Sequence, residues 1–157
     1  MTGWVALAFV VLASQTPAAP AADRDEIVAV VQRFFDAIAK RDPMLARQAM
    51  TPDGQLISVS EQDGKAVIRT RTTQQFADGL AGGAGTSLER MWNPDIKVSG
   101  AVGTLWTRYD FHRNGAFSHC GVDAFHLVKT PEGWRITSAM YTVERANCPP
   151  SPLGPPK

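Results

Sequence analysis

Between Asp23 and Asp42 the apolar residues Ile27, Val30, Val31, Phe34, Phe35 and Ile38 recur at three- and four-residue intervals, the spacing that lines one face of a helix. Asp23 and Glu26 stand where a capping box would hold its first turn. Asp42-Pro43 predicts a second helix, the aspartate as N-cap and the proline at the first helical position, running to about Met50 before "TPDG" stops it. The period then changes to two. The stretch "QLISVSEQDGKAVIRTR" alternates as a hairpin would, with Asp63-Gly64 at its turn. A short helix follows over "TQQFADGLA", with Thr72 and Gln75 as a capping box and the glycines from Gly82 to Gly85 ending it. From Leu88 to Val143 the segments "LERMW", "IKVSG", "TLWTRYDFH", "FSHCGVDAFHLV" and "WRITSAMYTV" read as strands separated by turn residues. The last four predict an antiparallel meander, and the order of elements predicts a two-layer α+β fold with the helices on one face of the sheet.

Asn114-Gly115 is a strong two-residue turn signal. A hairpin closed there places Phe111 opposite Ser118, Asp110 opposite His119, Arg108 opposite Gly121 and Trp106 opposite Asp123. Since alternate side chains share a face, Trp106, Arg108, Asp110, His119, Asp123 and Phe125 then stand together, with Leu105, Tyr109, Phe111, Cys120, Val122 and His126 behind them. Setting Lys129 opposite Trp134 extends the first face through Trp134, Ile136, Ser138 and Met140. A bulge near Gly121 would exchange the faces beyond it.

That first face carries the chemistry worth testing. Asp110 across from His119 would orient an imidazole for proton transfer. Asp123 among Trp106, Phe125 and Met140 would be desolvated and held protonated, a hydrogen-bond donor to an oxyanion. The same residues also suit a plainer arrangement, with Asp110 and His119 as an exposed cross-strand pair and Asp123 as an ion-pair partner of Arg108. His112 and His126 read as surface residues. The glycine-rich loop lacks the phosphate-cradle pattern and follows a helix. No covalent-nucleophile motif or metal-ligand spacing occurs, so neither a metal nor another cofactor is expected.

The chain has 157 residues, 44% of them hydrophobic, and a formal net charge of +1. One core is expected, with no basic run for nucleic acid. Residues 1–21 combine an apolar run from Trp4 to Ala13 with Ala19-Pro20-Ala21. They read as a secretory signal peptide, too short in its apolar part for stable membrane insertion. Export to the periplasm or beyond would favour a disulfide between Cys120 and Cys148. Residues 22–148 form the expected domain, and the proline-rich 149–157 an expected disordered tail.

The order of elements, together with "VVQRFFDAIAKRDPMLARQAMTPDGQLISV", "YDF", "SHCGVDAFHLVKTPEGWRI" and "YTV", resembles the nuclear-transport-factor-2-like superfamily, in particular its exported SnoaL-like or putative lumazine-binding members. The resemblance implies a cone in which a curved antiparallel sheet wraps around the long first helix, a cavity between them, and in many members a homodimer through the outer sheet face. The superfamily holds isomerases, dehydratases, hydrolases and cyclases as well as non-catalytic members, so the fold does not settle the function. The isomerase, dehydratase and epoxide-hydrolase residue sets find no residue-by-residue match here.

The leading expectation is therefore a small, largely apolar ligand held in the cone by Phe34, Trp106, Arg108, Phe125 and Met140. The alternatives are a cofactor-free lyase, isomerase or hydrolase using His119 and Asp123 with Asp110, and a non-catalytic dimerisation module.

Overall fold

A computed structural model describes residues 21–156; residues 1–20, all but the last of the expected export segment, lie outside it. Three helices, α1 (Ala21–Lys40), α2 (Pro43–Ala49) and α3 (Thr73–Ala81), cover one face of a six-stranded sheet. The strands are β1 (Met50–Gln62), β2 (Lys65–Thr72), β3 (Ser87–Ser99), β4 (Val102–Arg113), β5 (Ala116–Thr130) and β6 (Gly133–Val143). They lie in the order β2-β1-β6-β5-β4-β3.

The helical period of α1 buries Ile27, Val30, Val31, Phe34, Phe35 and Ala37 against the concave face of the sheet. Full burial of each of the larger side chains stabilises by about 1.5–3 kcal/mol. Phe34 packs against Phe76 of α3 and Phe125 of β5, with ring centroids 5.1 and 5.7 Å away. Leu105, Phe125, Ala139 and Leu56 form one continuous row across four strands beneath them.

Asp42 caps α2, accepting from the Met44 and Leu45 amides at 2.8 and 3.2 Å. Thr72 and Gln75 close a capping box on α3. Asp23 and Glu26 serve another purpose than the expected cap. Asp23 accepts from the Trp134 indole at 3.1 Å and from Lys129 at 2.6 Å, and Glu26 accepts from the Trp134 amide at 3.3 Å. They tie the start of α1 to the hairpin between β5 and β6.

Asp63-Gly64 and Asn114-Gly115 turn with positive φ at both residues, as two-residue hairpins require. The sheet departs from the expected antiparallel arrangement at one seam: β1 runs parallel to β6. The segments "LERMW" and "IKVSG" are one strand, β3, whose register shifts between Trp92 and Asp95.

Two further irregularities rearrange the faces. The β4–β5 hairpin starts in the expected register, Arg113 opposite Ala116 and His112 opposite Phe117. Ser118 is then left over, and Phe111 pairs with His119. Thr137 is left over in the same way on β6, between the Leu127–Ile136 and His126–Ser138 pairs. A bulge bends its strand and increases its twist, and each moves the next residues to the opposite face.

The tail, expected to be disordered, has a defined place. Cys148 is bonded to Cys120, and the following prolines lie over the outer face of β3 and β4 beside Arg90, Asp110 and His112. Arg90 donates to the Gly154 carbonyl at 2.9 Å. The bridge closes a sequence separation of 28 residues, which stabilises by about 3–4 kcal/mol in the chain-entropy account.

Candidate functional site

A cavity of about 430 Å³ opens between the helices and the concave face of the sheet, within the range of small-molecule sites. Its apolar lining comes from Phe34 and Phe76 of the helices and from Leu56 and Ala139 of the sheet. Its polar wall follows from the register. Asp123 on β5 neighbours Tyr141 on β6, Tyr141 neighbours Ser58 on β1, and Ser58 neighbours Arg69 on β2. All four side chains line the cavity, so a carboxyl, a phenol, a hydroxyl and a guanidinium succeed one another across four strands. With strands about 4.8 Å apart, the row spans roughly 14 Å at the backbone.

Asp123 is the deepest of them, 3% exposed, and its Oδ2 is buried without a hydrogen-bond partner. Burial, then the nearby Glu89 carboxyl, pushes the Asp123 carboxyl well above the usual range. The shift favours its protonated form, which can donate a hydrogen bond. Glu89, on the same face of β3, is also buried. Burial, reinforced by the charge of Asp110, raises it to about 8.

His119, half-buried, lines the same cavity. Its ring stacks on Phe111, centroids 4.8 Å apart, meets Tyr109 edge-on at 5.8 Å, and has Nδ1 3.1 Å from the Ser118 hydroxyl. Burial, then the charges of Arg145 and Arg113, lowers it to about 4. It is a neutral imidazole at physiological pH. Tyr109 is held by a 2.6 Å hydrogen bond from its hydroxyl to the Thr142 carbonyl.

The two bulges explain how the expected site residues divide. His119, Asp123 and Phe34 line the cavity. Phe125 faces the same way but lies in the packed core against Phe34 and Phe35. Trp106, Arg108 and Met140 are on the outer face, Trp106 being 58% and Met140 41% exposed. Asp110 is outside as well, opposite Cys120 and away from His119. There it accepts two hydrogen bonds from Arg90, at 2.9 and 2.6 Å, with His112 3.4 Å away. Burial opposes its charge, but the Arg90 and His112 hydrogen bonds outweigh that and hold its carboxyl below the usual range. His112, expected at the surface, is buried beside it next to the tail.

Reasoning from the strand pattern missed Glu89, Tyr109, Tyr141, Ser58 and Arg69. The first sits in a segment whose alternation gave no face, and the next two were turned outward by the unshifted register. The last two reach the site only through the parallel β1–β6 seam.

As assembled, the cavity offers two buried carboxyls biased towards their protonated, donating form, hydroxyl groups and a half-buried imidazole, together with apolar surface from the helices and the sheet. Among the described residues no group of three or more His, Cys, Asp or Glu is placed to hold a metal ion.

The sequence matches, over residues 22–142, the family model described as "Putative lumazine-binding". No curated protein matches it. Solved structures share the fold. One, from Nostoc punctiforme and described as a protein of unknown function with a cystatin-like fold, aligns with a TM-score of 0.67 at 15% identity, over 87% of this chain and 99% of that one. A nuclear-transport-factor-2-like protein of Salmonella enterica serovar Typhimurium gives 0.65 at 21% identity, over 83% and 96%. A protein of Streptomyces avermitilis, described as a putative dehydratase of the same superfamily, gives 0.62 at 15% identity, over 82% and 100%.

Proposed function

We propose that this chain, which belongs to the "Putative lumazine-binding" family and has the nuclear-transport-factor-2-like fold, binds a small molecule that presents a hydrogen-bond acceptor to Asp123. The observation that carries the reading is Asp123, whose side chain lines the cavity while its buried Oδ2 has no hydrogen-bond partner. A buried polar atom without a partner costs about 1–3 kcal/mol, and a ligand carbonyl placed there would recover it. The helix side of the cavity, Phe34 and Phe76, suits a flat apolar face. The ligand is therefore two-sided, not largely apolar. Proton transfer through His119 and Asp123 is the weaker use of the same cavity, because an imidazole held near 4 is a poor base at neutral pH.

Lumazine, a planar bicycle with two ring carbonyls, is a suitable first probe. We expect saturable one-to-one binding by fluorescence titration, weakened about tenfold or more by Asp123→Leu and abolished by Ser58→Trp, which fills the cavity. Asp123→Leu should fold at least as well as the parent, since it removes an unpaired polar group. Absence of binding, or binding untouched by both substitutions, overturns the proposal.

Export is part of the same reading. The Cys120–Cys148 bond supports an oxidising compartment. Among the described residues no helix is long and apolar enough to cross a membrane. The natural protein should begin near Ala22 on N-terminal sequencing; an intact Met1 would sink this part.

A further inference from the structure

Five arginines line the cavity: Arg41, Arg69, Arg71, Arg113 and Arg145. They come from four places in the chain that the fold gathers around one opening. Arg69 and Arg71 project from alternate positions of β2, Arg113 closes β4, Arg145 follows β6, and Arg41 follows α1. Among the described residues, none of the five is in an ion pair with a carboxylate, whereas Arg47 and Arg90 elsewhere both are. Arg41 donates to the Gly83 and Gly85 carbonyls, and Arg71 donates to the Tyr141 hydroxyl at 3.3 Å while lying over the Phe76 ring. Glu144, next to Arg145 in sequence, accepts from Thr142 instead.

Among the described residues, the only carboxyl groups that line the cavity are Glu89 and Asp123, and both are buried in its wall. Neither forms an ion pair, among the described residues, with an arginine of the rim. Guanidiniums crowded around a low-dielectric opening attract and orient an anion more strongly than scattered surface charges do, and Arg is well shaped to grip carboxylate or phosphate oxygens in pairs.

Building on the binding reading above, we infer that the ligand is an anion, with a carboxylate, sulfonate or phosphate group held by the arginine rim while its neutral acceptor end reaches Asp123. The row from Asp123 to Arg69 sets the scale: two or three fused or linked rings would bridge the donor at one end and the guanidinium at the other.

The matched dyes 8-anilinonaphthalene-1-sulfonate and N-phenyl-1-naphthylamine differ by one sulfonate and both report binding by fluorescence. At low salt the sulfonate should bind ~10-fold or more tightly than its neutral parent. The difference should shrink to about twofold in 0.5 M salt, as screened rim charges require. The double variant Arg69→Gln/Arg145→Gln should lose about tenfold in affinity for the sulfonate and none for the neutral dye. Both arginines are exposed, so the variant should fold as the parent does. Arg108→Gln, on the outer face, should change neither. Equal affinities for the two dyes, or a sulfonate affinity indifferent to the double variant, overturn the inference. If the neutral dye binds equally well and Ser58→Trp excludes it, the anion is wrong and the cavity reading stands. If neither dye responds to Ser58→Trp, both fall.

Discussion

The double variant Glu89→Gln/Asp123→Asn should melt roughly 10 °C or more above the parent at pH 8.5 and within a few degrees of it at pH 4. The sign follows from the folded-state shifts. Glu89 rises from 4.5 to about 8, and Asp123 also rises, both first through burial. The folded chain therefore holds these protons more tightly than the unfolded chain. The associated stability is fully present below about pH 4 and is lost as pH climbs through the folded values. For Glu89 alone the loss runs from about 4.5 to about 8, at about 1.4 kcal/mol per pH unit, or about 5 kcal/mol once the window is crossed. Amides do not titrate, so the variant escapes that loss, while at pH 4 it differs little from two protonated acids.

Other groups contribute slopes of their own, Asp110 and Asp23 among them through their lowered values. These are common to parent and variant and cancel in the difference between two thermal melts. A variant whose pH profile runs parallel to the parent's would show that the two carboxyls are not held protonated. The Asp123 half of the binding proposal would then lose its donor. The expected result instead describes a cavity that destabilises the empty fold in alkaline solution, a common feature of functional sites.

How far such a site can be read from sequence depends on where its geometry is decided. The amphipathic stripe of α1, the Asp42-Pro43 start, the Thr72 and Gln75 capping box and the two glycine turns are local arrangements, and each is found where the pattern put it. The faces of the sheet are not local. In "RYDFH" the alternation sets Arg, Asp and His against Tyr and Phe, and in "SHCGVDAF" it sets His, Asp and Phe against Cys, Val and Ala, so which sets share the buried face depends on the register. One extra residue at Ser118 and another at Thr137 then decide the matter. Asp123 and His119 kept their inward direction, but the partners expected for them, Trp106, Arg108 and Asp110, went outside, and Tyr109 and Phe111 replaced them. Curvature explains the need: a sheet that wraps a helix must bend, and bulges supply the bend. The arginine rim was further out of reach, since Arg69 and Arg71 meet Asp123 only through a parallel pairing of segments some eighty residues apart in the chain.

The remaining strong expectation concerns the glycine that this curvature depends on. Gly121→Ala should destabilise the protein by about 3 kcal/mol or more, and Gly121→Val should not fold. Gly121 lies opposite Tyr109 where the end of β6 closes over β5. There the Val122 amide donates to the Thr142 hydroxyl at 3.0 Å, and Cys120 and Glu144 exchange backbone hydrogen bonds of 2.9 Å. A Cβ on residue 121 would stand 2.3 Å from the Thr142 carbonyl oxygen and 2.7 Å from Cε1 of Tyr109. The aromatic ring could be trimmed by a second substitution, but the carbonyl belongs to the backbone and also receives the Tyr109 hydroxyl. Tyr109→Ala should therefore fail to rescue Gly121→Ala. Urea denaturation of the two single variants and the double variant checks both statements. Gly121→Ala within about 0.5 kcal/mol of the parent, or full rescue by Tyr109→Ala, would show that β6 can move away at this point. If β6 stays, the methyl group must displace Tyr109. His119, packed edge-on against that ring, would shift with it, and lumazine binding should weaken in any Gly121→Ala protein that still folds.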